Sequence, residues 1–507
     1  MSTPTTFTEL LALGSDEAIA LTAPGRLPLT YHALRQHVQQ TITTLNGYGI
    51  GRNDRVAIVL PNGPEMASAF VSVAAGATAA PLNPAYQQNE YAFYMEDLHA
   101  KALLVEQGSA SPAVAAAQEL GIPLLELIVA DNDPAGRFSL TSSLPAVSAA
   151  SGGPAGSEDV ALILHTSGTT SRPKIVPLLQ RNVCASVGNI RDTLALTPAD
   201  HCLNVMPLFH IHGLMAALLS SLLAGASVCC TPGFNALQFF AWLDGEKPTW
   251  YTAVPTMHQA ILSRAARNQE IIDAANLRFV RSSSASLPPQ VMGELEATFR
   301  APVIEAYGMT EASHQMTSNP LPPRPRKVGT VGIAIGLDVA IMDKEGNLLP
   351  PNTTGEIVIR GRNVTPGYEN NPQANAENFT NGWFRTGDQG IQDEDGYLTI
   401  TGRLKEIINR GGEKISPREV DEVLMDHPAV QQAVTFAMPH PKLGEEVAAA
   451  VVLRDGAEAT ERDIRDFAAE RLAPFKVPRK VLVLTEIPKG PTGKLQRIGL
   501  AEKLGLG

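Results

Sequence analysis

The run Leu162-Ile163-Leu164-His165-Thr166-Ser167-Gly168-Thr169-Thr170-Ser171-Arg172-Pro173-Lys174 breaks from an apolar stretch into hydroxyls, a glycine and two cations. Backbone N–H groups, hydroxyls and positive charge on one loop suit a tetrahedral oxyanion, most plainly a phosphate. The GxxxxGK[ST] spacing of a Walker loop is absent. A hydroxyl-rich turn between strands is the bland alternative for such a loop. Further along, His210 and His212 stand two residues apart between Pro207 and Gly213. A strand-like run, 277–281, leads into Ser282-Ser283-Ser284-Ala285-Ser286, whose tip can face a ligand at the carboxyl end of a sheet. Glu305-Ala306-Tyr307-Gly308-Met309-Thr310-Glu311 adds a phenol, a hydroxyl and carboxylates. Asp388, in Arg385-Thr386-Gly387-Asp388, is a carboxylate at a strand end, able to accept both hydroxyl protons of a ribose. Lys494 sits on a Gly/Pro-bounded loop, Gly490-Pro491-Thr492-Gly493-Lys494. Any one of these is also explained as a turn, a helix cap or a solvated charge.

The elements that must position them read as α/β. Short aliphatic runs at 55–60, 101–105 and 124–129 alternate with helical patterns such as the Ala-rich stretch 64–76. That alternation predicts mostly parallel sheets. Residues 109–156, rich in Ala, Ser, Pro and Gly, read as surface helix and loop. From 331 to 401, strands at 338–342, 355–360 and 397–400 separated by turns predict a smaller β-rich subdomain. Helices at 417–425 and 461–471 and a strand at 447–453 then predict a compact α+β unit. The expected organisation is a large N-terminal domain, 1–402, made of parallel-sheet α/β subdomains plus the β-rich subdomain. A small mobile C-terminal α+β domain, 403–507, completes it. Hydrophobic content of 44% in 507 residues allows large cores. A formal net charge of -11 argues against a nucleic-acid partner. Cys184, Cys202, Cys229 and Cys230 show neither CxxC nor zinc spacing, so buried thiols in a reducing compartment are expected. No apolar run is long enough for a membrane span, no signal peptide is visible and the chain does not end in Ser-Lys-Leu. The expectation is a cytoplasmic protein without a membrane partner, a monomer or a homodimer.

Six segments follow one another in the order of the adenylate-forming superfamily, which includes acyl-CoA synthetases, luciferases and adenylation domains. The chain resembles that superfamily over nearly its whole length. The resemblance implies ATP, Mg²⁺ and coenzyme A as cofactor and co-substrates, and a small carboxylate as partner. It implies that Thr166, Ser167, Gly168, Thr169, Thr170 and Lys174 hold ATP phosphates. Ser284, Ala285, Tyr307 and Gly308 would lie against adenine, with Asp388 and Arg403 on the ribose. Thr310 would contact the α-phosphate, Glu311 would help hold Mg²⁺, and Lys494 would be the catalytic lysine. A single carboxylate agrees with that metal, which takes one or two together with phosphate oxygens. Lys405 matches the hinge, and Gly411, Gly412 and Lys414 the face that meets CoA.

Polar donors at the acyl pocket, His210, Ser284, Ser286 and His314, suit a short acid with a second oxygen-bearing group rather than a fatty chain. The strings 206–213, 284–287, 314–320 and 408–417 resemble the oxalate–CoA ligases of plants and fungi, so oxalate is the expected acid. Other small, medium-chain or aromatic acids, a carrier-loading adenylation enzyme and an inactive nucleotide-binding protein are the alternatives. Two residues depart from the superfamily pattern: Ile175 replaces the glycine after Pro-Lys, and Ser171 another glycine. A β-branched residue at 175 restricts the backbone beside the loop, with slower loop movement or altered ATP affinity as the expected effect.

Overall fold

Helix Pro64–Ala74 is buried on nearly every side, because its Ala, Val, Phe and Met side chains leave no polar face to present to water. It packs between two sheets, and Pro64 opens it where no N–H partner is needed. The computed structural model of the protein describes residues 3–166, 173–489 and 495–507. Within them, one seven-stranded sheet has a parallel centre, Leu124–Ile128, Ala102–Glu106, Arg55–Ile58, Thr78–Pro81 and Val160–Thr166, with an antiparallel strand at each edge. A nine-stranded sheet runs parallel through Val303–Met309, Phe279–Ser282, Trp250–Ala253, His201–Asn204, Ser227–Cys230 and Ile19–Thr22. The chain is α/β, as expected. A five-stranded antiparallel sheet spanning Asp338–Met342 to Leu398–Arg403 forms the β-rich part. A five-stranded mixed sheet, from Ile408–Arg410 to Lys480–Val483, the last strand joining in parallel, carries helices Pro417–Met425 and Glu461–Ala469. The four cysteines are buried and free. No described helix is long and apolar enough to cross a membrane.

The segment 109–156 holds more regular structure than its composition suggests. It contains helix Pro112–Glu119 and strands Leu124–Ile128 and Ser139–Ser142, the last two paired at the sheet edge. Ile175 lies in strand Lys174–Leu179 opposite His165, buried in a cluster with Ile163, Tyr91 and Met95. Its branched side chain therefore serves the core at the root of the loop.

Parallel strands deliver the site residues at their carboxyl ends. Strand Phe279–Ser282 ends just before Ser284, and Val303–Met309 just before Thr310 and Glu311. After strand His201–Asn204 the chain enters a π-helical segment, His212–Leu219, an arrangement frequent at functional sites.

Glu305 is buried on that sheet. One carboxylate oxygen accepts the Leu287 N–H at 3.0 Å and the other has no partner. Burial pushes its pKa from an ordinary 4.5 up to about 7, against the pull of Arg418. A carboxyl with a raised folded-state pKa stabilises the fold below its unfolded pKa and loses that contribution as pH rises. Unfolding free energy should therefore fall between pH 4.5 and 7 by an amount of order 3 kcal/mol from this group. Glu305→Gln should flatten that slope in urea titrations across the same range. An unchanged slope would remove Glu305 as its source.

Candidate active site

A cavity of about 1540 Å³ opens where the sheets meet, and it gathers most of the expected residues. Thr166 and Lys174 line it at the root of the loop. Ser284, Ala285, Ser286 and His210 line another wall, and Tyr307, Gly308, Thr310 and Glu311 the wall between. Asp388, Arg403 and Lys405 close it from the β-rich side. Ser167, Gly168, Thr169, Thr170 and Lys494 lie outside the described residues, as do Ser171 and Arg172.

Asp388 is a fork. Tyr307 Oη donates to its Oδ2 at 2.5 Å and Arg403 Nε donates to its Oδ1 at 2.8 Å. The carboxylate holds the Arg403 guanidinium firmly charged. Burial, joined by the same carboxylate, pushes the Tyr307 phenol well above its usual range, so it stays a donor. Strand pairing between 383–392 and 398–403 sets Asp388 opposite Arg403.

Glu311 is a buried carboxylate. Tyr368 Oη donates to its Oε1 at 2.8 Å and Thr166 Oγ1 lies 3.5 Å from the same atom. Burial raises its pKa, while the Tyr368 bond, Arg403 and Lys174 pull the other way. Lys174 Nζ lies 4.4 Å from the Tyr368 ring centroid, within cation–π range. Burial lowers the Lys174 pKa, and Glu311 opposes that shift. Among the described residues no cluster of three or more His, Cys, Asp or Glu could hold a metal. The donor set at Glu311 instead fits a hard cation that brings phosphate and water oxygens of its own, which is how Mg²⁺ is usually bound.

Behind the serine wall lies a buried polar network. His212 Nδ1 is 2.9 Å from Ser284 Oγ, and its Nε2 is 2.6 Å from Thr252 Oγ1 and 3.2 Å from Arg281. His314 stacks on His212 at 5.1 Å between ring centroids. Arg281 reaches His314 Nε2 at 3.2 Å and Gln315 Oε1 at 3.1 Å. Ser284 takes a left-handed conformation, φ 75°, which tips its hydroxyl onto His212. His210 Nδ1 accepts the His212 N–H at 3.3 Å.

His314, expected at the acyl pocket, lies behind the wall instead and is not among the lining residues. Strand His314–Ser318 is buried throughout, and its polarity serves the frame. Ser313 Oγ donates to Asn363 O and Thr317 Oγ1 to Val331 O. Gly411, Gly412 and Lys414 also lie outside the lining, on the hairpin of Ile408–Arg410 and Glu413–Ile415. Leu495, Gln496 and Arg497, just past Lys494, line the cavity. Contacts across the body hold this arrangement: Arg418 donates to Ile400 O at 2.7 Å and Gln259 to Gln431 O at 2.9 Å. Sequence reasoning missed Tyr368, Arg281 and His165, which lines the cavity and has Asp97 at 3.0 Å. Only Arg281 gave a signal, a charge in the middle of a β run.

The model of the AMP-binding enzyme family matches residues 12–369, and that of the AMP-binding enzyme C-terminal domain matches 419–494. The chain belongs to the AMP-binding enzyme family. This AMP-binding enzyme is 47% identical over 483 residues to an oxalate–CoA ligase of Arabidopsis thaliana, covering 94% of each chain. It is 43% identical over 519 residues to an oxalate–CoA ligase of Saccharomyces cerevisiae, covering 96% of this chain and 95% of that one. ATP-bound MatB from Rhodopseudomonas palustris matches its structure with a TM-score of 0.88 at 28% identity, over 98% of each chain.

Proposed function

We propose that this AMP-binding enzyme is an ATP-dependent acid–CoA ligase whose acid is oxalate. The observation that carries the choice of acid is the hydroxyl of Ser284, on the cavity wall and backed by His212 at 2.9 Å. An apolar acyl chain would leave the cavity-facing Ser284 O–H without an acceptor, whereas a second carboxylate accepts from it. The two oxalate–CoA ligase relatives support the same acid.

The reaction has two steps. An oxalate oxygen attacks the α-phosphorus of ATP, the bond to the β-phosphate oxygen breaks, and pyrophosphate leaves. The CoA thiol then loses its proton, its sulfur attacks the acyl carbon, and AMP leaves. The first step brings two anions together. Lys174 and Lys494 offset that repulsion, and Thr310 lies where the α-phosphate would rest. Mg²⁺, held through Glu311, would neutralise phosphate charge. Tyr307, Gly308 and Ala285 bound the nucleotide side, and Asp388 with Arg403 takes the ribose hydroxyls. The unit 403–507 turns about Lys405 between the steps. Its Lys494 face gives way to Gly411, Gly412 and Lys414, which then meet CoA. The cavity lining at 495–497 supports the adenylation-competent orientation as the one described.

Ser284→Ala tests the acid. It removes one donor to a charged acceptor, about 1.5–3 kcal/mol, so kcat/KM for oxalate should fall about 10- to 100-fold with the ATP KM nearly unchanged. Equal losses for oxalate and ATP would place Ser284 on the nucleotide instead.

A further inference from the structure

Arg281 poses an unusual problem for the fold. The side chain is fully buried, on strand Phe279–Ser282 at the centre of the nine-stranded sheet. Its acceptors are His212, Thr252, His314 and Gln315, all neutral groups, and none of these is a carboxylate. Its Nε has no partner at all. A buried guanidinium without a counter-charge is strongly disfavoured, and burial accordingly pulls its pKa down to about 9, still charged at neutral pH. Arg278, immediately before the same strand, has Asp200 as its ion-pair partner, and Arg403 has Asp388.

The geometry also fixes protons. A guanidinium only donates, so the His212 Nε2 facing it at 3.2 Å is an acceptor. The neutral ring then carries its proton on Nδ1, which donates to Ser284 Oγ at 2.9 Å. Ser284 Oγ, having accepted, is left with its own O–H to donate toward the cavity it lines. The same logic makes His314 Nε2 an acceptor of Arg281.

We infer that Arg281 is a specificity-determining positioning residue for a dianionic acid: through His212 it holds Ser284 as a donor to the substrate's second carboxylate, and that carboxylate supplies the counter-charge the fold leaves out. The inference rests on the oxalate reading and extends it one layer behind the cavity wall. Arg281 touches no reacting atom; it acts through His212. After the first carboxylate becomes the acyl–AMP mixed anhydride, the second keeps its charge, so the same donor serves both steps.

The test compares oxalate with oxamate, an isostere in which one carboxylate is a neutral amide. Wild type, Arg281→Gln, Arg281→Lys and His212→Phe would be assayed with MgATP and CoA, reading oxalate KM and kcat, ATP KM, and the competitive KI of oxamate. Arg281→Gln should raise the oxalate KM about 10- to 100-fold, with oxamate KI and ATP KM changing less than about threefold. Arg281→Lys should recover part of the loss. His212→Phe, which keeps an aromatic ring but breaks the relay, should show the same selective loss, and it decides the matter if Arg281→Gln does not fold. Parallel weakening of oxalate and oxamate, or a collapse of kcat with unchanged selectivity, would reduce Arg281 to a structural residue and overturn the inference. Wild-type turnover of oxalate reports separately on the functional reading; if wild type leaves oxalate untouched, that reading falls and the inference falls with it.

Discussion

Glu311→Gln should lower kcat/KM for acyl-adenylate formation by about 100- to 1000-fold, the range seen when one preorganised charge-stabilising group is removed. The substitution keeps the shape that Tyr368 Oη and Thr166 Oγ1 pack against and removes only the charge. With no other cluster of acidic or imidazole ligands among the described residues, the loss of one carboxylate has no substitute. The Mg²⁺ concentration for half-maximal rate should rise alongside. The pH profile adds a sign. Burial raises the Glu311 pKa, so the active carboxylate form is lost as pH falls, at a higher pH than for an ordinary Glu. The wild-type acid limb should therefore lie above the usual carboxylate range, and Glu311→Gln should lack it. Stability should not suffer, since the variant no longer desolvates a charge. Wild-type rates in Glu311→Gln at limiting Mg²⁺ would remove the metal role.

Gly308→Ala should damage site and fold together. A Cβ on Gly308 would sit 1.8 Å from the His314 carbonyl oxygen and 2.5 Å from its carbon, backbone atoms that have no rotamer to yield. Gly308 faces Gln315 in the hairpin that joins Val303–Met309 to His314–Ser318, just after a shift in register at Tyr307. Relieving the clash pushes the strands apart and displaces Tyr307 from Asp388 on one side and Glu311 from Tyr368 on the other. Overpacking of this kind costs about 1–3 kcal/mol or more, which should appear as a lower melting temperature. Misplacement of the nucleotide residues should add a loss in kcat/KM of about 100-fold. Gly293→Ala is the matched control. It lies in helix Pro289–Phe299 with nothing near its would-be Cβ, and should leave activity and stability intact or slightly improved. Similar melting temperatures for both variants would contradict the argument.

Local pattern made the frame legible. Helix Pro417–Met425 starts and stops where the sequence places it, because proline opens it and its apolar residues recur at helical spacing. Strand Arg55–Ile58 is two residues shorter than the aliphatic run, since Val59 and Leu60 stay buried after the regular pairing ends. The cavity wall was legible through motifs: Tyr307, Thr310, Glu311, Asp388 and Arg403 come to one place from three separate segments. Depth was not legible. His314 and Ser284 look alike as polar residues in a string, yet only Ser284 reaches the cavity; a strand's buried polar face and its ligand face carry the same letters. The partners of Glu311 were hidden for another reason. Tyr368 comes from 57 positions away and outside any phosphate-like motif, and only the packing of the β-rich sheet brings it there. The hairpin with Gly411, Gly412 and Lys414 was named by resemblance alone, and none of its residues lines the cavity.

The most direct measurement is pyrophosphate release by the purified protein with MgATP and CoA, across oxalate, malonate, acetate, octanoate and a cinnamate-type acid. A strong preference for oxalate, with oxalyl-CoA identified by mass and AMP formed in equal amount, is the expected result. Preference for octanoate or the aromatic acid would contradict the account, because neither can satisfy the donor that Arg281, His212 and Ser284 build into the cavity wall.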